Sequence, residues 1–163
     1  MAEPVTLTPC AGALVEPSRL WSRAEVLSKV AAVPSEPGVY AWYFRHAPGE
    51  TPVNGCLVQQ GCYLLYVGIS PGRLISRENL RRRIVYHQRG NAEGSTLRLT
   101  LGCLLAAELG IELRRVGSGT RFTFAAGEKP LSQWMAHNAL VIWCVTERPR
   151  PVENELLITS CCP

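Results

Sequence analysis

Apolar residues along this chain change their period several times, and each change marks an element. Leu20, Val26, Leu27, Val30 and Ala31 recur at helical spacing, so a helix is expected over 19–33, capped by Ser18 and stopped by Pro34 and Pro37. Gly38 to Arg45 (Gly-Val-Tyr-Ala-Trp-Tyr-Phe-Arg) is rich in aromatic side chains, the mark of a strand. Residues 46–61 hold Pro, Gly and polar side chains and read as a loop. Residues 62–69 form a second apolar strand, expected to pair with the first. A helix is predicted from about Ser76 to Arg89, ended by Gly90. Another, capped by Ser95 or Thr96, carries Leu97, Leu101, Leu104, Leu105 and Leu109 and closes at Gly110 in left-handed geometry. One or two short strands around Gly117-Ser118-Gly119, a short helix at 131–137 and a buried strand at 139–145 follow. A last helix runs from Val152 to about Ser160. Residues 1–17 show no period and read as a flexible arm. The expectation is one α/β (α+β) domain over 18–163, with a small mixed or antiparallel sheet of about three strands flanked by helices.

Composition narrows the chemistry. A chain of 163 residues supplies one domain, and 47% hydrophobic against 18% charged residues describes a packed globule rather than a disordered chain. No apolar run is long enough to span a membrane, so no membrane partner is expected. The first residues lack the pattern of a secretory signal, so the cysteines are expected to be reduced and the compartment cytoplasmic. No Cys-x-x-Cys pair suggests structural zinc, and Cys103 and Cys144 read as small core residues. His46 and His137 read as rim residues, Trp134 and Trp143 as core.

All thirteen acidic residues are Glu. The absence of Asp removes the usual carboxylate of a Ser-His-Asp triad, a Walker-B site or an EF-hand loop. The seventeen basic residues are Arg apart from Lys29 and Lys129, giving a net charge of +4. Guanidinium groups suit phosphate oxygens, although a GC-rich genome would also inflate their number. Placement must therefore decide.

Three placements carry chemistry. Tyr40 and Tyr66 lie one on each predicted strand, in Gly38-Val39-Tyr40 and Tyr66-Val67-Gly68. A phenol there is ordinary strand material, or a proton-transfer group if a cation lowers its pKa. Arg83 and His87 are four apart on a predicted helix and share a face, where Arg can hold a phosphate and imidazole can add a proton-transfer group. Arg81, Arg82, Arg89 and Arg98 nearby are expected to attract nucleic acid; the plain alternative is a solvated basic face. Glu153 sits in the first turn of the last helix, either as a capping acid or as ligand to one hard cation such as Mg²⁺.

The order Gly-Val-Tyr, Tyr-Val-Gly, Leu-x-x-Arg-Ile-x-x-His, Glu-x-x-Leu-Leu resembles the GIY-YIG nuclease family, over roughly Pro37 to Ile158. The resemblance implies a metal-dependent endonuclease that hydrolyses phosphodiester bonds in DNA with one Mg²⁺ or Mn²⁺ ion. RNA remains open as a substrate, and the alternative is a non-cleaving nucleic-acid-binding module on the same fold. It implies that Gly38, Val39 and Tyr40 form the first motif and Tyr66, Val67 and Gly68 the second. Arg83 takes the catalytic arginine's place, His87 that of the His or Tyr one turn later, and Glu153 that of the metal ligand. Glu153 is preferred to Glu155 because Leu156 and Leu157 follow it at the third and fourth positions. Several departures stand out: a long loop between the motifs, Ser70 where a Lys would follow, no C-terminal Pro-Leu-Asn, an extra helix over 18–33 and an atypical insertion over 95–138. Cutting both strands would take either a homodimer or two sequential nicks.

Overall fold

The structure is a computed structural model that describes residues 7–73 and 75–160. Five strands form one antiparallel sheet: β1 (Trp21–Ser22), β2 (Gly38–Phe44), β3 (Val58–Gln59), β4 (Cys62–Ser70) and, near the C-terminal end, a strand at Ala139–Val145. Between them lies a two-stranded hairpin, β5 (Arg114–Arg115) with β6 (Phe122–Thr123), so the strand at Ala139–Val145 is β7. The order across the sheet is β1-β7-β2-β4-β3. Helices α1 (Pro9–Val15), α2 (Arg23–Ser28), α3 (Leu80–Arg89), α4 (Thr96–Leu104), α5 (Ala106–Leu109), α6 (Glu128–Asn138) and α7 (Pro149–Ser160) surround it. The α+β class is as expected; the strand count is five rather than about three. The extra strands, β1 and β3, are two-residue edges, too short for a period to reveal.

β2 is paired on both sides and covered on both faces, so all seven of its residues are buried. Alternation then divides the core in two. Tyr40, Trp42 and Phe44 pack with Leu80 and Ile84 of α3, Leu97 and Leu101 of α4, and Leu131 and Met135 of α6. Val39, Ala41 and Tyr43 pack with Ala11 and Leu14 of α1 and Val152 and Leu156 of α7. Burial of each large apolar side chain contributes roughly 1.5–3 kcal/mol.

Several expectations give way to longer-range contacts. Within the expected arm, Ala11 and Leu14 are fully buried, and Thr8 donates from its N–H and Oγ1 to the two Glu155 carboxylate oxygens, both at 2.7 Å. The helix expected over 19–33 begins only after Trp21 and Ser22 have paired with Val141 and Leu140. Ser22 and Glu25 then form a capping box, and α2 ends at Ser28 before a 3₁₀ turn at Val30–Ala32. α3 starts at Leu80 because Asn79 Oδ1 caps the Arg82 N–H at 2.9 Å. Cys10 and Cys144 are joined by a disulfide instead of being reduced, and Cys103 is exposed rather than core. Cys161 and Cys162 lie outside the described residues. Among those residues no helix is long and apolar enough to cross a membrane.

Candidate active site

The two motif tyrosines meet through strand register. Tyr40 stands opposite Gly68, and Tyr66 opposite Trp42, so both phenols project from the same sheet face. Their rings stack with centroids 6.5 Å apart. The neighbouring glycines are spatial requirements. A Cβ on Gly68 would lie 2.5 Å from Tyr40 Cζ and Oη, and one on Gly38 would strike the Cys144 carbonyl oxygen and sit 2.6 Å from Leu80 Cδ1. Gly68 thus seats the Tyr40 ring, and Gly38 admits the first turn of α3.

Leu80 and Ile84 bury one side of α3 and set the rotation of the rest. His87, fully buried, comes to rest among Tyr40, Trp42 and Tyr66. Its Nε2 is 2.9 Å from Tyr40 Oη, and its Nδ1 is 2.7 Å from Ser95 Oγ. Burial, reinforced by the Arg83 and Arg98 guanidinium groups, holds the imidazole well below its ordinary pKa, at about 3, so it is neutral at pH 7. The Tyr40 phenol is pushed above its ordinary value by burial and by Tyr66, while Arg83 pulls it down. The sequence-based expectation of a cation-lowered tyrosine is therefore met only by the Arg83 contribution; burial outweighs it.

Arg83 Nη1 donates to the Gly94 carbonyl at 2.9 Å, which orients the guanidinium. It lines a groove of about 410 Å³ with Ile69, Gly72, Arg73, Ser76 and Glu78. Tyr40, Tyr66, Arg83 and His87 therefore gather at one end of β2 and β4. A family model of the GIY-YIG catalytic domain matches residues 38–163, more than half of the chain, a range that contains these four residues. This chain belongs to the GIY-YIG family. Searches of curated proteins and of solved structures find no match.

GIY-YIG domains are nuclease domains, and Glu153, the expected metal ligand, lies on α7. Val152 and Leu156 anchor that helix on the sheet face opposite Tyr40. Its first turn reaches the groove rim, because Arg150 Nη2 donates to the Gly72 carbonyl at 3.0 Å. Glu153 is half-buried, and burial raises its carboxyl above the ordinary range, with Arg150 opposing. No hydrogen bond joins it to Tyr40, Tyr66, Arg83 or His87 among the described residues. Glu155, two residues on, is occupied by Thr8. A carboxylate with unengaged oxygens is a hard donor that fits Mg²⁺ or Mn²⁺. No cluster of three or more potential ligands exists among the described residues, so the fit is to one carboxylate completed by water and phosphate oxygens.

The basic residues divide. Arg82 and Arg89 are exposed. Arg81 spends its Nε on the Val33 carbonyl at 2.7 Å and its Nη2 on that of Ala31 at 3.4 Å, tying α3 to the 3₁₀ turn. Arg98, expected to face nucleic acid, is instead fully buried: Nε and Nη2 both reach Glu128 Oε2, at 3.0 and 2.7 Å, and Nη1 donates to the His87 carbonyl. It cannot reach a phosphate. Two site residues escaped the sequence reading. Ser95 was legible only as a helix cap, and Arg73 carries no local signal beyond its charge.

Proposed function

We propose that this protein is a metal-dependent endonuclease acting on DNA, with Tyr40, Tyr66, Arg83, His87 and Glu153 as its working residues. The observation that carries the reading is the Tyr40–His87–Ser95 hydrogen-bonded chain beside Arg83, a polar wire laid through an apolar core. With Nδ1–H donated to Ser95, Nε2 keeps its lone pair for the Tyr40 hydroxyl. The neutral imidazole, at a pKa of about 3, is too weak a base to hold a proton itself. It accepts the Tyr40 hydrogen bond and turns the phenol oxygen's lone pair toward the attacking water, whose proton passes to solvent. Water oxygen then bonds to phosphorus, the opposite P–O bond breaks, and the leaving oxygen takes a proton from solvent. Arg83 offsets charge on the non-bridging oxygens, and Tyr66, half-buried beside Tyr40, orients the water. A divalent ion held by Glu153 would supply positive charge at the phosphate.

The test is nicking of supercoiled plasmid DNA with Mg²⁺ or Mn²⁺. Cleavage by the wild type, lost in Glu153→Ala and Arg83→Ala, supports the reading. Equal activity in all three proteins sinks it. Salt-sensitive binding without cleavage, retained in Glu153→Ala, would make the chain a binding module instead.

A further inference from the structure

The outer face of α3 carries a stripe that the candidate active site does not use. Arg82, Tyr86 and Arg89 are spaced by four and then three residues, so they line one side of the helix. Arg82 and Arg89 are exposed and form no ion pair among the described residues. Tyr86 between them is 39% exposed, the one exposed ring among the Phe, Trp and Tyr side chains of the described residues. It is not loose. Its Cε1–Cζ edge lies over Gly90 and Gly94, where an added Cβ on Gly90 would come within 2.5 Å of Cε1 and one on Gly94 would strike Oη and Cζ. Its hydroxyl donates to Asn91 Oδ1 at 3.2 Å. Two glycines and an asparagine thus hold one edge of the ring, while the remainder lines a groove of about 560 Å³ bounded across from α3 by Val30.

This groove adjoins the candidate active site. Glu78 lines both it and the smaller groove that holds Arg83. A rigid ring flanked by two cations is the arrangement that binds a nucleic-acid strand, with cations on the backbone and the ring under a base. In a duplex both faces of a base are already covered, so an aromatic platform gains most from an unpaired one. Glu78 repels phosphate but can accept from the amino edge of a base, which orients the strand bases-inward at the junction.

We propose that the α3 groove binds an unpaired nucleic-acid segment, with one base stacked on Tyr86 and its flanking phosphates on Arg82 and Arg89. This rests on the nuclease reading above for its connection to a scissile phosphate, and it assigns the substrate class: a strand with an unpaired stretch beside the cut.

The test is fluorescence anisotropy on the full chain in EDTA, so that no turnover intervenes. The probes are a labelled short oligothymidine, an abasic strand of equal length and a duplex. The wild type is expected to bind oligothymidine about tenfold tighter than the abasic strand, the scale of one base on an aromatic ring. Tyr86→Leu, which keeps the space filled, should erase that difference without changing abasic or duplex binding; Tyr86→Phe should preserve it. Arg82→Ala and Arg89→Ala should weaken all three probes and flatten the salt dependence. Equal wild-type affinity for oligothymidine and abasic strand, equal losses on both in Tyr86→Leu, or preference for duplex would each overturn the proposal. Stacking without plasmid cleavage would defeat only the nuclease reading, and cleavage without Tyr86-dependent stacking only this one.

Discussion

Tyr40 and Tyr43 lie three residues apart on β2, both essentially sealed from solvent, and burial pushes both phenols above their ordinary pKa. They differ in what their hydroxyls meet. Tyr43 faces α1 and donates to the Leu14 carbonyl at 2.7 Å, an amide acceptor that does not titrate. Tyr40 faces α3 and meets His87 Nε2, an imidazole nitrogen, with Arg83 at its side. One strand thus gives a tyrosine a backbone partner on one face and an imidazole partner on the other. Depth of burial does not distinguish them; the titratable partner does.

That contrast can be broken at several points. The largest effect is expected in Tyr40→Phe, which should slow plasmid nicking by about 10²-fold, the scale of a misplaced attacking water. Tyr43→Phe should cut at the wild-type rate. Single-turnover cleavage with both purified variants compares them directly. Next comes Gly68→Ala, whose methyl has no room beside the Tyr40 ring. It should cost about 1–3 kcal/mol of stability by overpacking, read as a lowered urea midpoint, together with lost activity. Gly12→Ala, with open space around its Cβ position, should leave both activity and stability near wild type.

His87 gives the third effect. Its folded-state pKa of about 3 lies below the ordinary 6.5, so between those values the unfolded chain binds the proton and the folded chain does not. The contribution is therefore complete above pH 6.5 and lost as pH falls toward 3, by up to about 1.4 kcal/mol per pH unit. Thermal midpoints should drop from pH 7 to pH 5, and His87→Gln should flatten that slope. The window stays clear of Glu25 and Glu128, whose lowered carboxyl pKa values act only below about 4.5. The smallest effect is Tyr43→Phe itself, expected to cost about 1 kcal/mol for one net hydrogen bond.

Local chemistry made part of this molecule legible in advance. The aromatic run of β2, the apolar run of β7 and the four-residue step from Arg83 to His87 depend on neighbours in the chain, and pattern reveals neighbours. What stayed hidden depends on distant partners. Arg98 reads as one more surface cation until Glu128, thirty residues later, neutralises it. The first residues lack any period because α1 is held by Glu155, 147 positions away. Ser95 reads as an ordinary cap because its second role, facing the His87 imidazole, exists only once α3 and α4 have packed.

Ser95 also bears on how this enzyme class could be trimmed. The 95–138 segment, read from the sequence as an atypical insertion, looks like removable decoration. Yet it closes the pocket around His87: Ser95 holds one ring nitrogen, Arg98 holds the residue's carbonyl, and Glu128 locks Arg98 in place. A miniaturised version or a chimera joined at residue 94 would open the imidazole to water and let it titrate in its ordinary range. The engineer's unit is accordingly larger than the motif suggests, and any graft of this centre must carry α4 and the start of α6 with it.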